Sequence, residues 1–443
     1  MEKTFAMISL GCAKNLVNSE QMLYLMDEAG YALVPEPDGA DLAVVNTCGF
    51  IDAAKSEAID AILEMAELKK AGRLGGLIVT GCLAERYKDS ILDELPEIDA
   101  VLGVGSFAEI VSAADAVLSG RRLSAFADQS GPIDETPRVV TTGPGWAYLR
   151  IAEGCNNFCA FCAIPFIRGR YRSRRMEDIL EEARSLTEHG VKELIVIAQD
   201  ITRYGIDLYG RRSLAELCRR LSDIEGVEWI RLHYLYVDQF DDELIEEIAL
   251  NDKIVKYLDI PIQHIDDGIL KRMNRRGTGA DIRSHFRKLR ERIPGLVLRT
   301  SLITGLPGEG EAEFEELCDF LREARLERVG VFPFSPEEGT PAALMAHVDF
   351  DEAQRRADLI LALQAGIMED FCQSLVGKTL GVLCEGFDED AGLMTGRCYA
   401  DSPEIDGQVL FEGDCAEGEI IPVRIERTED GLLYGRKEEA RTC

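Results

Sequence analysis

Three cysteines at CxxxCxxC spacing, in Gly154-Cys155-Asn156-Asn157-Phe158-Cys159-Ala160-Phe161-Cys162, constrain this chain more than any other stretch. They follow the apolar run Ala147 to Ala152, so a strand feeds directly into the cysteine loop. Thiolates are soft ligands, and close cysteine spacing in a loop suits an iron–sulfur cluster. Three local cysteines leave one corner of a cubane cluster without a protein ligand. That open iron can bind a substrate or cofactor, unlike the closed cluster of an electron carrier. The competing readings are a structural zinc site and three buried thiols. Zinc favours paired CxxC units or Cys/His mixtures with four ligands in all. No second CxxC or CxxH pair follows downstream.

The first 120 residues alternate between strand and helix patterns. Expected strands are Thr4–Leu10, Asp41–Asn46, Gly76–Thr80 and Val101–Gly103. Expected helices are Ser19–Ala29, Ala53–Lys70, Ala84–Leu92 and Phe107–Leu118. Such alternation implies an open parallel sheet with helices on its faces. Cys12, Cys48 and Cys82 follow the first three strands, each beside a glycine: Gly11, Gly49 and Gly81. Ligands of open parallel sheets bind beyond the carboxyl ends of the strands. The three thiols are therefore expected at one edge, as a second cluster site. A lone buried cysteine would carry no such message.

Residues 121–145 are rich in Pro and Gly and read as an extended linker. From Trp146 to about residue 374 the alternation resumes. Strands are expected at Ala147–Ala152, Glu193–Ala198, Trp229–His233, Tyr257–Ile260, Val297–Ile303 and Arg328–Phe332. Six β/α units suggest a partial barrel, with its chemistry at the carboxyl ends of the strands. Gln199 and Asp200 end the second of these strands. They could accept hydrogen bonds from an ammonium, or Asp200 could cap a turn. Ser301 and Gly305 end the fifth. Arg231, His233 and His264 stand at other strand ends, with a satisfied structural role expected for His264. Arg168, Arg170, Arg172, Arg174 and Arg175 follow the cysteine loop and read mostly as a solvated or internally paired rim.

Phe350 to Leu375 carries apolar residues at helical spacing and reads as a packing helix. Residues 375–443 then change to five short strands, a small OB-like antiparallel barrel. From residue 377 on, this module holds seven Lys+Arg against sixteen Asp+Glu. Cys384, Cys398, Cys415 and Cys443 show no ligand-like spacing. The whole chain has 443 residues, thirteen cysteines and a formal charge of −31. That charge disfavours direct nucleic-acid binding and favours a basic partner. No signal peptide is expected, no apolar run reaches membrane-spanning length, and the odd cysteine count argues against a disulfide framework. A reducing cytoplasmic setting is expected.

The CxxxCxxC loop, with Phe161 before its last cysteine, resembles the radical S-adenosylmethionine (SAM) superfamily. In that family the motif binds a [4Fe–4S] cluster whose open iron chelates SAM. The resemblance places the SAM amino group near Gln199 and Asp200. Ser301 to Glu309 resembles the adenine-contact motif, with Gly305 permitting close approach and Ser301 standing where the first glycine would be. The Cys12, Cys48 and Cys82 layout is similar to the N-terminal domain of methylthiotransferases, which hold an auxiliary [4Fe–4S] cluster there. The position of residues 375–443 resembles the TRAM domain that closes those enzymes. Ser9 to Glu20 is similar to the signature of the RimO type, with Ala13 and Asn18 in place of the usual Pro and Asp. The transfer RNA enzymes usually carry Gln-Met-Asn after that cysteine.

The resemblance implies two [4Fe–4S] clusters and SAM as cofactors, and a reductant protein as electron donor. It implies methylthiolation at the β-carbon of an aspartate in the basic small-subunit ribosomal protein S-twelve, free or on the ribosome. In this chemistry a 5′-deoxyadenosyl radical takes the β-hydrogen, and a second SAM supplies the methyl group. No membrane partner is implied, and RNA is met only through the ribosome. A tRNA adenosine methylthiotransferase is the first alternative. A non-catalytic iron–sulfur electron carrier, which would bind no SAM, is the second.

Overall fold

A computed structural model describes residues 3–88 and 90–438. Cys443 and the first two residues of the start lie outside the described residues. The chain forms two compact units. The first runs to Thr141 and also takes in Ala152–Arg174 and Ser335–Ala343. The second holds Thr142–Ile151, Arg175–Phe334 and the chain from Leu344 on. Among the described residues, no helix is long and apolar enough to cross a membrane.

The first unit is built on a six-stranded sheet in which every neighbouring pair is parallel. Its spatial order is Tyr31–Leu33, Lys3–Ser9, Leu42–Thr47, Gly76–Gly81, Ala100–Leu102 and Leu123–Ala125. The central strands Leu42–Thr47 and Gly76–Gly81 are buried along their whole length. Such runs need cover on both faces, because alternate side chains point to opposite sides. Leu42 and Val44 join one core with Met22 and Met26 of the helix Ala13–Glu28. Ala43 and Val45 join the other with Ile62 and Met65 of the helix Asp52–Lys70.

Residues 121–145, expected as an extended linker, do more than span a gap. Leu123–Ala125 supplies the sheet's edge strand. Beyond it the chain is strapped down. Buried Glu20 accepts from the Thr141 backbone N–H at 2.7 Å and pairs with Arg138. Arg174 pairs with Glu135, and Arg172 donates to the Gly131 carbonyl at 2.7 Å.

The second unit holds six parallel strands in consecutive order: Trp146–Arg150, Glu193–Ile197, Trp229–Leu232, Ile254–Asp259, Val297–Thr304 and Arg328–Pro333. The sheet does not close on itself, so it is a partial barrel, as expected from the sequence. Five further strands form the closed C-terminal barrel: Thr379–Asp388, Leu393–Cys398, Val409–Glu412, Ile420–Glu429 and Leu432–Lys437. Four of its strand pairs are antiparallel, and Val409–Glu412 runs parallel to Leu432–Lys437.

The two sheets of this unit share one core. Val255, Tyr257 and Val297 of the partial barrel meet Val382, Cys398, Phe411 and Val423, with Cys372 and Leu375 of the helix Phe350–Leu375 between them. Buried charge reinforces the join. Glu193, fully inaccessible, accepts from Arg231 at 2.6 Å and from Arg397 at 2.8 Å. Arg328 pairs with Asp401 at 2.6 Å, and the Tyr257 hydroxyl donates to Asp406 at 2.6 Å.

Candidate functional site

Each of Cys12, Cys48 and Cys82 stands where a strand hands over to a helix. Cys12 is the N-cap of Ala13–Glu28, with its carbonyl accepting from Asn15 and Leu16. Cys82 opens the helix Cys82–Tyr87 directly after Gly76–Gly81. Cys48 follows Leu42–Thr47 and precedes Asp52–Lys70. The positive ends of helices favour anionic sulfur.

The neighbouring glycines let these turns nest. A Cβ on Gly11 would lie 2.8 Å from the Cys48 Cβ, and one on Gly49 would lie 2.8 Å from the Leu83 backbone. Gly81 has φ +96°, and a Cβ there would lie 2.8 Å from the Thr47 backbone nitrogen. The sequence expectation of three thiols at one sheet edge matches this packing.

The CxxxCxxC loop belongs to the same unit. It is closed at its base by the two-residue pair Ala152–Glu153 with Arg172–Ser173. Gly154 has φ +74°, a Cβ there would run into the Arg170 backbone, and the Cys155 N–H donates to the Gly169 carbonyl at 3.1 Å. Phe158 holds a left-handed φ of +48°, a conformation a bulky residue keeps only where its surroundings enforce it. The Ala342 N–H donates to the Ala160 carbonyl at 2.9 Å, which ties in the segment Ser335–Ala343.

Two carboxylates that the motif reading did not single out, Glu153 and Glu337, pair with basic residues around these loops. Arg168 is 1% exposed. Its guanidinium grips Glu153 at 3.0 and 3.1 Å, and its Nη2 lies 3.3 Å from Asn15 Oδ1 and 3.6 Å from Cys82 Sγ. Glu337 accepts from Lys55 at 2.9 Å and Arg86 at 2.8 Å, on the helices that follow Cys48 and Cys82. Glu153 has a sequence signal, a carboxylate immediately before Gly154-Cys155 in a basic loop. Glu337 has none, because its partners lie some 250 residues away.

Of the arginine run, Arg168, Arg174 and Arg175 are paired with carboxylates and Arg172 with a backbone carbonyl. Arg170 lies over the Phe158 ring. The internally paired reading of that run describes what is found.

The donor set fits an iron–sulfur cluster. Every cysteine among the described residues is a free thiol. Thiolates are the soft ligands that such a cluster takes.

The electrostatics is mixed. Burial pushes the Cys82 thiol up to about 11, against the pull of Arg168. Burial likewise raises Cys48. At Cys12 desolvation acts in the same sense, but Lys14, Arg168 and backbone N–H groups outweigh it and lower the thiol below its ordinary value. Arg168 acts on all three.

The remaining expected residues lie in the second unit and are described there. Both amide atoms of Gln199 are buried without a hydrogen-bond partner among the described residues. Such a group is costly unless something pairs with it. Asp200 is committed locally. It caps the turn by accepting from the Thr202 N–H at 3.1 Å and lies 3.3 Å from Arg203 Nε.

Ser301 accepts from the Gln263 N–H at 2.9 Å through its carbonyl. Gln263, at φ +73°, and Tyr234, at φ +65°, are left-handed at two strand ends. Gly305 has φ +77°, and the close approach there is made by Ala353 of the long helix. His233 Nε2 lies 3.2 Å from Ser402 Oγ. His264 is satisfied on one side only: its Nδ1 accepts from the Asp266 N–H at 3.1 Å, while the buried Nε2 makes no hydrogen bond among the described residues and lies 3.4 Å from Glu309.

A parallel-sheet module with three strand-end thiols, a partial barrel whose first strand leads into CxxxCxxC, and a closed five-stranded barrel define a radical SAM enzyme with appended N- and C-terminal modules. Family profiles agree: the Radical SAM superfamily matches residues 149–321, the uncharacterized protein family UPF0004 residues 4–103, and the TRAM domain residues 376–437. The chain is 48% identical to the ribosomal protein uS12 methylthiotransferase RimO of Lachnoclostridium phytofermentans, over 97% of this chain and 99% of that one. It is 50% identical to the protein of the same name from Caldanaerobacter subterraneus subsp. tengcongensis, over 93% and 94%. The chain belongs to the RimO family of radical SAM methylthiotransferases. SAM and [4Fe–4S] iron are the cofactor classes of that chemistry.

Among solved structures, the radical SAM methyltransferase TsrM from Kitasatospora setae aligns with 86% of this chain and 77% of its own, at TM-score 0.56 and 13% identity. That likeness concerns the fold alone.

Proposed function

We propose that this chain methylthiolates the β-carbon of an aspartate in the basic small-subunit ribosomal protein S-twelve. The observation that carries the reading is near-full-length kinship with enzymes named for that protein. The acidic C-terminal barrel supports it, because a module with sixteen acidic and seven basic residues repels RNA and suits a basic protein.

In this reading the chain divides into an N-terminal module (1–120), a linker (121–145), a radical SAM module (146–374) and a TRAM module (375–443). Two clusters are held, one by Cys155, Cys159 and Cys162 and an auxiliary one by Cys12, Cys48 and Cys82. Gln199, Asp200, Ser301 and Gly305 are the SAM-facing residues, with the unpartnered amide of Gln199 foremost. When bound, the clusters and SAM supply the radical and the sulfur-containing group. The protein's part is to hold the thiolates, exclude water and fix distances. A reductant protein and a cytoplasmic setting complete the proposal.

The test is anaerobic reconstitution with iron and sulfide, then SAM, reductant and either the ribosomal-protein loop peptide or a tRNA anticodon stem-loop. A methylthio mass gain on the peptide's aspartate is the expected product. The same gain on RNA alone would overturn the substrate. In parallel, Cys48→Ala is expected to release deoxyadenosine without thiolated product, and Cys155→Ala to release none.

A further inference from the structure

Arg168 reaches a strand-end thiol from the segment that follows the CxxxCxxC loop, with Nη2 3.6 Å from Cys82 Sγ. It sits two residues beyond Phe166, directly after the helix Ile164–Ile167. Ala163 and Ile167 of that stretch pack with Cys82 in a small apolar cluster. Its partner Asn15 is itself pinned, with Nδ2 donating to the Leu10 carbonyl at 2.7 Å and the Thr47 carbonyl at 3.2 Å. The Asn15 carbonyl in turn accepts from Asn46 Nδ2 at 2.9 Å. The guanidinium therefore has a fixed place among the turns that carry Cys12, Cys48 and Cys82. A charge held in so dry a site acts on its neighbours with little screening.

From this placement we infer that Arg168 is a positioning residue that sets the reduction potential of the group held by Cys12, Cys48 and Cys82, with Glu153 as its counter-charge. The inference rests on the two-cluster reading above. A reduced cluster carries more negative charge than an oxidised one. A nearby guanidinium therefore favours the reduced form and raises the potential, and hydrogen bonding to ligand sulfur acts in the same sense. The Glu153 carboxylate subtracts from that field. It also joins the residue before Gly154-Cys155 to the turns of the other site, because Nη1 reaches both Glu153 oxygens while Nη2 turns to Asn15 and Cys82.

The experiment is a redox titration of the full-length, reconstituted protein followed by electron paramagnetic resonance. The cluster that responds to added SAM is thereby separated from the one that does not. In Arg168→Gln the SAM-insensitive cluster is expected to shift to a more negative potential, by more than the SAM-sensitive one. Arg168→Lys keeps the charge and is expected to restore most of the shift. Glu153→Gln is expected to shift the same cluster the opposite way, which a merely structural role would not do.

An unchanged potential in Arg168→Gln, or shifts of one sign in Arg168→Gln and Glu153→Gln, overturns the inference. If Arg168→Gln loads only one cluster, the other two variants decide by the same signs. A wild-type protein that holds a single cluster removes the two-cluster reading, and this inference with it.

Discussion

At the scale of single residues, the difference between a committed and an uncommitted polar group separates structure from binding. Asp200 spends its carboxylate on Thr202 and Arg203, and His264 spends Nδ1 on the Asp266 N–H. Gln199 spends neither amide atom among the described residues. Gln199→Ala is therefore expected to weaken SAM binding about ten-fold, the loss of roughly one hydrogen bond of about 1.4 kcal/mol to a charged group. Iron content should be unchanged. Equilibrium binding of SAM to reconstituted protein checks both.

The same scale shows what the sequence could carry. Cys12, Cys48 and Cys82 are legible because strand ends are legible. A helix beginning at Ser19 is what the polar run Asn15, Asn18 and Ser19 suggests, yet the helix begins at Ala13. Those side chains face inward. Ser19 Oγ meets Ser9 Oγ at 2.7 Å and accepts from Asn46 at 2.8 Å. A polar residue consumed by a neighbouring strand looks, in one dimension, like a helix cap.

Among elements, the join of partial barrel and C-terminal barrel depends on buried charge as much as on apolar contact. Glu193 serves Arg231 and Arg397 at once, with all three nearly inaccessible. Removing Glu193 takes the carboxylate from the buried Arg231 guanidinium, at about 3–5 kcal/mol, while Arg397 keeps Glu385 at 2.6 Å. Glu193→Gln is expected to lower the urea midpoint of the second unit accordingly, and an exposed control such as Glu389→Gln to leave it in place. No local pattern announces this network, because Glu193 and Arg397 are 204 positions apart.

The strap formed by residues 126–141 is a milder case. Its Pro and Gly content predicts an extended path correctly. Glu20, which anchors that path, lies in a helix more than a hundred residues earlier.

For the whole molecule, charge is the dominant property. At a formal −31, its field extends to about 8 Å at physiological salt, and its sign favours basic partners over RNA. Association with the basic ribosomal protein is expected to slow steeply as salt rises, with dissociation changing less. Anticodon stem-loop binding should be absent even at low salt. Stopped-flow association across a salt series tests both.

The division into units carries a further implication. The first unit draws on residues up to Thr141, on Ala152–Arg174 and on Ser335–Ala343. As the chain is made from its N-terminus, the opening sheet can form early. Lys55 and Arg86 nevertheless stay without Glu337 until most of the polypeptide has left the exit tunnel. Maturation of the thiol-bearing edge is thus tied to late translation, so metal assembly machinery would meet a finished site only on a nearly completed nascent chain.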